Sequence, residues 1–417
     1  MKILLENIRE LVQVEEQPVM LRAGKAMKKV ETIKDAFLII SDEQIKNFGR
    51  MSDLKDAYID DDLLIEIDCS NRLVYPCFCD SHTHLVFSGS QEKEFGLRLN
   101  GDSKELTEIY NDGILNAAKL VHETSEDELY EKSLERIAEI IKQGTGAVEI
   151  KSGYGLNTVD EIKMLRVIKR LKQSVSICVR STFLGANAIP SEYSDNRKAY
   201  VDLIINEMIP GIADEELADF IDVFCERGFF SAEDAGRILM AGMKYGLRPK
   251  IHANELGLTG GVQTGVKYKA LSVDHLDYMA EEEINALKDT ETMPTVLPGT
   301  AFFLDMELSP VRKMIDAGLP VALASDYNPV SSPCGNMSFI SSLGCIRHKM
   351  KPEEVINATT INSAYAMGVS DRLGSIARGK MASVFITGEV PGIDYLPYRF
   401  ANDLIETVII NGEIQNL

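Results

Sequence analysis

The chain has 417 residues, a formal net charge of −20 and a hydrophobic fraction of 45%. A chain of this length buries a large core without disulfide staples, and its composition is that of a globular rather than a disordered protein. The acidic balance argues against nucleic acid and anionic membrane as main partners, because both demand a basic face.

Taken in chain order, the N-terminal residues 1–10 break their apolar run with charges too early for a secretory leader. No later stretch approaches the roughly 20 apolar residues of a membrane span. Strand-like runs follow at 36–40, 44–49, 63–67 and 73–75, before Pro76. The middle then alternates short apolar runs with longer helical patterns. The eight predicted strands are 76–81, 146–150, 175–182, 221–225, 249–253, 270–274, 293–297 and 320–325. Helices are predicted over 127–143, 158–172 and 231–245, the last opening on Ser231 followed by early acids, an N-cap signature. The far end returns to strands at 382–386 and 407–410, the second running into Asn411-Gly412, a hairpin signal.

Eight strand–helix units predict a (β/α)8 TIM-like barrel, with a doubly wound open sheet as the alternative. The two β-rich ends predict one small β-sandwich domain assembled from residues 1–75 plus 375–417, around a barrel over 76–374. Seven cysteines, an odd number, form no disulfide framework, and Cys77-x-Cys79 lacks the two-residue spacer of a zinc ribbon or redox pair. A reduced, cytoplasmic compartment is the expectation.

In such barrels the chemistry sits at the C-terminal ends of the strands. Four of only six histidines fall there: His82 and His84 after the first strand, His252 on the fifth and His275 on the sixth. The eighth strand ends in Asp326. A spacing of two puts His82 and His84 on one face of an extended chain, so both imidazoles point at one ion. Taken singly, each has a plain structural role, as a packed histidine or a helix cap. Independent structural roles have no reason to converge on one rim. Imidazoles with one carboxylate and an open position are the ligand set of a catalytic zinc-type ion, which acidifies water and polarises a carbonyl. His122 and His348 fall in helical or surface-like stretches and are expected to be inert.

This pattern resembles the metal-dependent amidohydrolase superfamily. The fourth strand, Asp222-Val223-Phe224-Cys225, has no lysine of the kind that bridges two metals in other members, which favours a single ion. Lys151, after the second strand, is expected to be structural or on the substrate side.

A closer resemblance, spanning nearly the whole chain, is to the imidazolonepropionase family. It rests on His82-Thr-His-Leu-Val-Phe-Ser-Gly-Ser, residues 94–101, Glu149-Ile-Lys-Ser-Gly-Tyr-Gly-Leu, Ser181-Thr-Phe-Leu-Gly-Ala, Phe224-Cys-Glu-Arg-Gly-Phe-Phe-Ser and Ser325-Asp-Tyr-Asn-Pro. The resemblance implies hydrolysis of the ring amide of 4-imidazolone-5-propanoate to N-formimidoyl-L-glutamate, a step of histidine degradation. It implies His82, His84, His252 and Asp326 as ligands of one divalent or trivalent ion, zinc or iron. Glu255, His275 and Asp326 would carry the proton transfers and polarise the carbonyl, while Tyr154, Asn328 and Ser331 would contact substrate and product.

Three substrate-side positions depart from the family pattern. Gln91 stands where the family has an arginine for the propanoate, Asn187 where it has a histidine, and Val330 where it has a glycine. Lys93 and Arg98 are the neighbouring positive charges. The departures, and the likeness of His252-x-x-Glu255 to the proton shuttle of superfamily deaminases, keep open a different cyclic amide or an amino-heterocycle. A catalytically dead barrel would be expected to have lost metal ligands, and none is missing. The expected partner is a small-molecule substrate. Related barrels often pair into dimers, which leaves a homodimer as an open expectation.

Overall fold

A computed structural model describes residues 2–57, 64–99 and 105–415. Leu63 of the predicted 63–67 strand, and Asn100 and Gly101 of the 94–101 motif, lie outside the described residues. Eight parallel strands follow one another around a barrel: β1 Phe78–Thr83, β2 Thr145–Lys151, β3 Cys178–Ala186, β4 Phe220–Cys225, β5 Ile251–Ala253, β6 Ser272–His275, β7 Met293–Val296 and β8 Ala322–Leu323. All their residues but Cys178 and Arg180 of β3 are buried, as befits strands covered on both faces. The ring closes between β1 and the chain leaving β8. Asp326 N donates to His82 O (3.0 Å) and His84 N to Tyr327 O (2.9 Å). The buried Asp80 carboxylate takes both the Ser325 amide and its hydroxyl.

Each predicted strand appears within a few residues of its place. The eighth is shorter than predicted. Asp326 has φ +54° and Ser325 N bonds a side chain rather than a neighbouring strand, so the ladder ends early. The helices agree as closely. Ser231 and Asp234 cap Ala232–Lys244 reciprocally, and Asn157 caps Thr158–Ser174 through the Asp160 amide.

Strands from both ends of the chain make a separate eight-stranded sheet. At its centre is Lys2–Val12, antiparallel to Thr32–Ser41 and parallel to Leu64–Asp68 and Arg72–Pro76. Val384–Glu389 joins through Arg72–Pro76, and Ile405–Ile410 follows. Asn411 (φ +50°) and Gly412 (φ +76°) turn that strand back as a two-residue hairpin, both with the positive φ that a type I′ turn needs. The central strand Lys2–Val12 has no clean sequence signal. A bulge between Leu5 and Ile8, with Asn7 at φ +53°, breaks the two-residue alternation. Among the described residues, no helix is long and apolar enough to cross a membrane.

Candidate active site

The four strand-end histidines meet at the barrel mouth. Ring centroids of His82 lie 5.4 Å from His84, 4.5 Å from His252 and 5.4 Å from His275. Nitrogens of His82, His84 and His252 all fall within 4.8 Å of one another. Asp326 Oδ1 stands 3.5 Å from His82 Nε2 and 3.6 Å from His84 Nε2. These gaps are long for a hydrogen bond. They match the separation, about 3.4 Å, of two donor atoms sharing one tetrahedral ion at bonds of about 2.1 Å. His122 and His348 take no part. His122 Nδ1 lies 2.7 Å from Asp160 Oδ2, and His348 Nδ1 lies 3.2 Å from Ser309 O.

Beneath these rings lies a charged layer that orients them. His82 Nδ1 bonds Asp274 Oδ2 at 2.7 Å, which leaves its buried Nε2 with no hydrogen-bond partner. His252 Nδ1 lies 3.1 Å from Asp222 Oδ2. Both carboxylates face Lys151, whose Nζ donates to Asp222 Oδ2 (2.8 Å) and Glu149 Oε1 (2.6 Å) and stands 3.7 Å from Asp274. Lys250 binds the other oxygen of Glu149. All five charges are sealed from solvent. Burial opposes the Lys151 cation, but Asp222, Glu149 and Asp274 outweigh it and hold the amine protonated. Of the two expectations for Lys151, the structural one therefore fits. Burial, the nearby Lys151 cation and the other imidazoles push His82, His84 and His275 well below the usual histidine range. They are neutral, the state in which imidazole donates a lone pair. Neutral nitrogens, one carboxylate and an orphaned Nε2 oriented by a carboxylate behind it fit a transition-metal ion.

Over the histidines opens a pocket lined by Tyr154, Asn187, Glu255, His275, Asp326 and Ser331, among others. Tyr110 donates to Glu255 Oε1, and His275 Nδ1 lies 3.2 Å from that oxygen. Glu255 Oε2 is buried without a partner. Burial pushes the Glu255 carboxyl well above its usual range, and Asp326, Asp277 and Glu226 push it the same way. Thr300 donates to Asp326 Oδ2, leaving Oδ1 toward the imidazoles. His275 (φ +82°) and Asp326 (φ +54°) hold left-handed backbone that non-glycine residues seldom adopt. Such strain is characteristic of functional sites.

Two residues without a signal in the sequence are Tyr110, which lines the pocket from helix Leu106–Glu123, and Thr300, which holds Asp326 from helix Pro298–Phe303. Sequence reasoning also passed over Asp222 and Asp274, although Asp274 directly precedes His275 at a strand end.

The substrate-side residues divide. Tyr154, Asn187, Asn328, Val330 and Ser331 line the pocket. Asn328 is spent within its own loop: its amide donates to Asp326 O (2.6 Å) and Ser331 Oγ (2.9 Å), and its oxygen receives the amides of Val330 and Ser331. Asn187 donates to Gly153 O at 3.0 Å. Gln91 does not line the pocket. Its Nε2 donates to Gly113 O (2.8 Å), and it borders an adjoining cleft with Arg98, Gly113 and Val330. Two of the departures thus meet at Gly113, where a Cβ would stand 2.4 Å from Val330 Cγ1. Gly113→Ala is expected to cost about 1–3 kcal/mol in chemical denaturation, because Val330 must leave its rotamer or the helix must shift. An unchanged midpoint would mean that the valine moves freely.

The Amidohydrolase family profile matches residues 73–414. The chain is 50% identical over 414 residues to the imidazolonepropionase of Christiangramia forsetii, covering 99% of this chain and 100% of that one. Against the imidazolonepropionase of Clostridium tetani it is 40% identical over 391 residues, covering 94% and 93%. Among solved structures it is similar to Escherichia coli guanine deaminase, with a TM-score of 0.76 at 13% identity over 100% of this chain and 99% of that one. It is also similar to an adenosine deaminase from Xanthomonas campestris with bound zinc, with a TM-score of 0.72 at 15% identity over 100% and 93%. At those identities the two deaminases speak for the fold alone.

Proposed function

The chain belongs to the amidohydrolase family and, within it, to the imidazolonepropionases, and on that premise we propose that it opens the ring amide of 4-imidazolone-5-propanoate to give N-formimidoyl-L-glutamate. The convergence of His82, His84, His252 and Asp326, with His82 Nε2 orphaned and aimed at the others, is the observation that carries this reading. Those four residues would hold one ion, zinc or iron, both of which suit nitrogen and carboxylate donors. Bound there, it would supply Lewis acidity, lowering the pKa of water to about 7 and polarising the ring carbonyl.

The remaining chemistry falls to side chains. Asp326 takes a proton from the attacking water as the new C–O bond forms at the carbonyl carbon. Neutral His275 donates to the carbonyl oxygen as charge develops on it. Burial favours the protonated form of Glu255, and Tyr110 already occupies Oε1. Its Oε2 therefore delivers a proton to the ring nitrogen as the C–N bond breaks. The proton on Asp326 then restores Glu255, which balances the cycle. The seven free cysteines fit the reduced cytoplasmic setting read from the sequence.

Metal-loaded protein is expected to consume 4-imidazolone-5-propanoate, followed by loss of ultraviolet absorbance, with no ammonia released. Turnover no faster than in a chelated control would contradict the reading, and ammonia release would indicate deamination instead. Chelation is also expected to lower Tm reversibly, since a ligand at 100 times its Kd stabilises the folded state by about 2.7 kcal/mol. A Tm indifferent to chelator and to added ion would count against a bound ion.

A further inference from the structure

Among the described residues, no lysine and no arginine lines the pocket over the histidines, yet a substrate ending in a carboxylate needs a cation to offset its desolvation. Across Val330, which borders both spaces, the adjoining cleft contains one: Arg98. Its guanidinium carbon lies 5.1 Å from the Phe303 ring centroid and 5.7 Å from that of Phe95. Burial lowers its pKa, and no carboxylate among the described residues offsets that. Of the acids of the cleft, Glu94 accepts from Asn116 at 2.9 Å. Beside Arg98, Gln91 uses one Nε2 hydrogen on Gly113 O and keeps the other. Lys93 is exposed and borders neither space.

We propose that Arg98, assisted by the second Nε2 hydrogen of Gln91, binds the substrate's carboxylate in this cleft. The short chain would run from the ring in the catalytic pocket past Val330. This rests on the ring-amide reading above and assigns its acid-binding end. A guanidinium held against two phenyl rings, half-buried and without a counter-ion among the described residues, is preorganised for a planar carboxylate. The arrangement also gives Gln91 a role that its turn away from the catalytic pocket would otherwise deny it.

The test compares 4-imidazolone-5-propanoate with its uncharged carboxamide analogue on the metal-loaded enzyme. Arg98→Met is expected to raise KM for the carboxylate by about tenfold or more with kcat within about threefold, and to raise KM for the carboxamide, which keeps only a neutral hydrogen-bond acceptor, by a clearly smaller factor. Arg98→Lys should fall between wild type and Arg98→Met, and Lys93→Met should match wild type. Arg98 is half-exposed on a short surface helix, so its variants are expected to fold, which circular dichroism verifies. An equal KM rise for both analogues would assign Arg98 a structural role and overturn the proposal. An unchanged carboxylate KM would overturn it as well, placing the anchor elsewhere. Failure of wild-type enzyme to open either compound would instead bring down the ring-amide reading itself.

Discussion

Glu255→Gln is expected to reduce kcat by about 10²–10⁴-fold, the range of a positioned proton donor, while KM changes by no more than a few fold. Glutamine is nearly isosteric with a protonated glutamate. Its carbonyl still accepts from Tyr110, and its backbone amide still donates to Glu226 Oε1 at 2.6 Å. What it lacks is a proton to give from Oε2, the oxygen left without a partner among the described residues. Metal content should be unchanged, because Glu255 lies outside the proposed ligand set. A kcat within tenfold of wild type would show that the leaving nitrogen takes its proton from another group, and His275, 3.2 Å away, would be the next candidate.

The second large effect concerns stability. Lys151→Met is expected to cost about 3–5 kcal/mol, the penalty for stranding buried charges by removing one partner. In a fold stabilised by about 5–15 kcal/mol, that is a large share. Glu149, Asp222 and Asp274 all face the Lys151 amine within 3.7 Å, and Lys250 reaches only Glu149 among them. Without Lys151, the two aspartates that face His82 and His252 would protonate or turn away. Metal affinity should then fall by about 10–100-fold, the usual consequence of disturbing the groups that hold a ligand in place. Urea denaturation of metal-free protein measures the first effect and a competitive chelator titration the second. A loss below about 1 kcal/mol with unaltered affinity would mean that the carboxylates are held independently of the lysine.

How much of this was legible in the sequence depends on the range of the interaction. His82 and His84 on one face follow from strand periodicity alone, and the rim position of His252, His275 and Asp326 follows from counting eight strand–helix units. Those signals are local and survive folding unchanged. Tyr110 and Thr300 carry no such signal, because the contacts of Tyr110 with Glu255 and of Thr300 with Asp326 depend on how helices Leu106–Glu123 and Pro298–Phe303 pack on the barrel. The Lys151 layer was half-legible. Glu149 and Lys151 share a strand face by spacing, but the convergence of Asp222, Lys250 and Asp274 beneath them is set by the closure of the barrel. Gln91 shows a further limit. Motif spacing located the residue, while its contact with Gly113 and exclusion from the pocket arise from packing with Val330. The central strand of the terminal sheet, Lys2–Val12, escaped because its bulge disrupts the alternation by which strands are read.

The most direct test of the central claim joins elemental analysis to the ring-opening assay for wild type and for His82→Ala, His84→Ala, His252→Ala and Asp326→Ala. About one transition-metal ion per wild-type chain is expected, with metal and turnover lost together in each variant. A metal-free chain that still opens the ring, or variants that keep their ion in full, would contradict the claim.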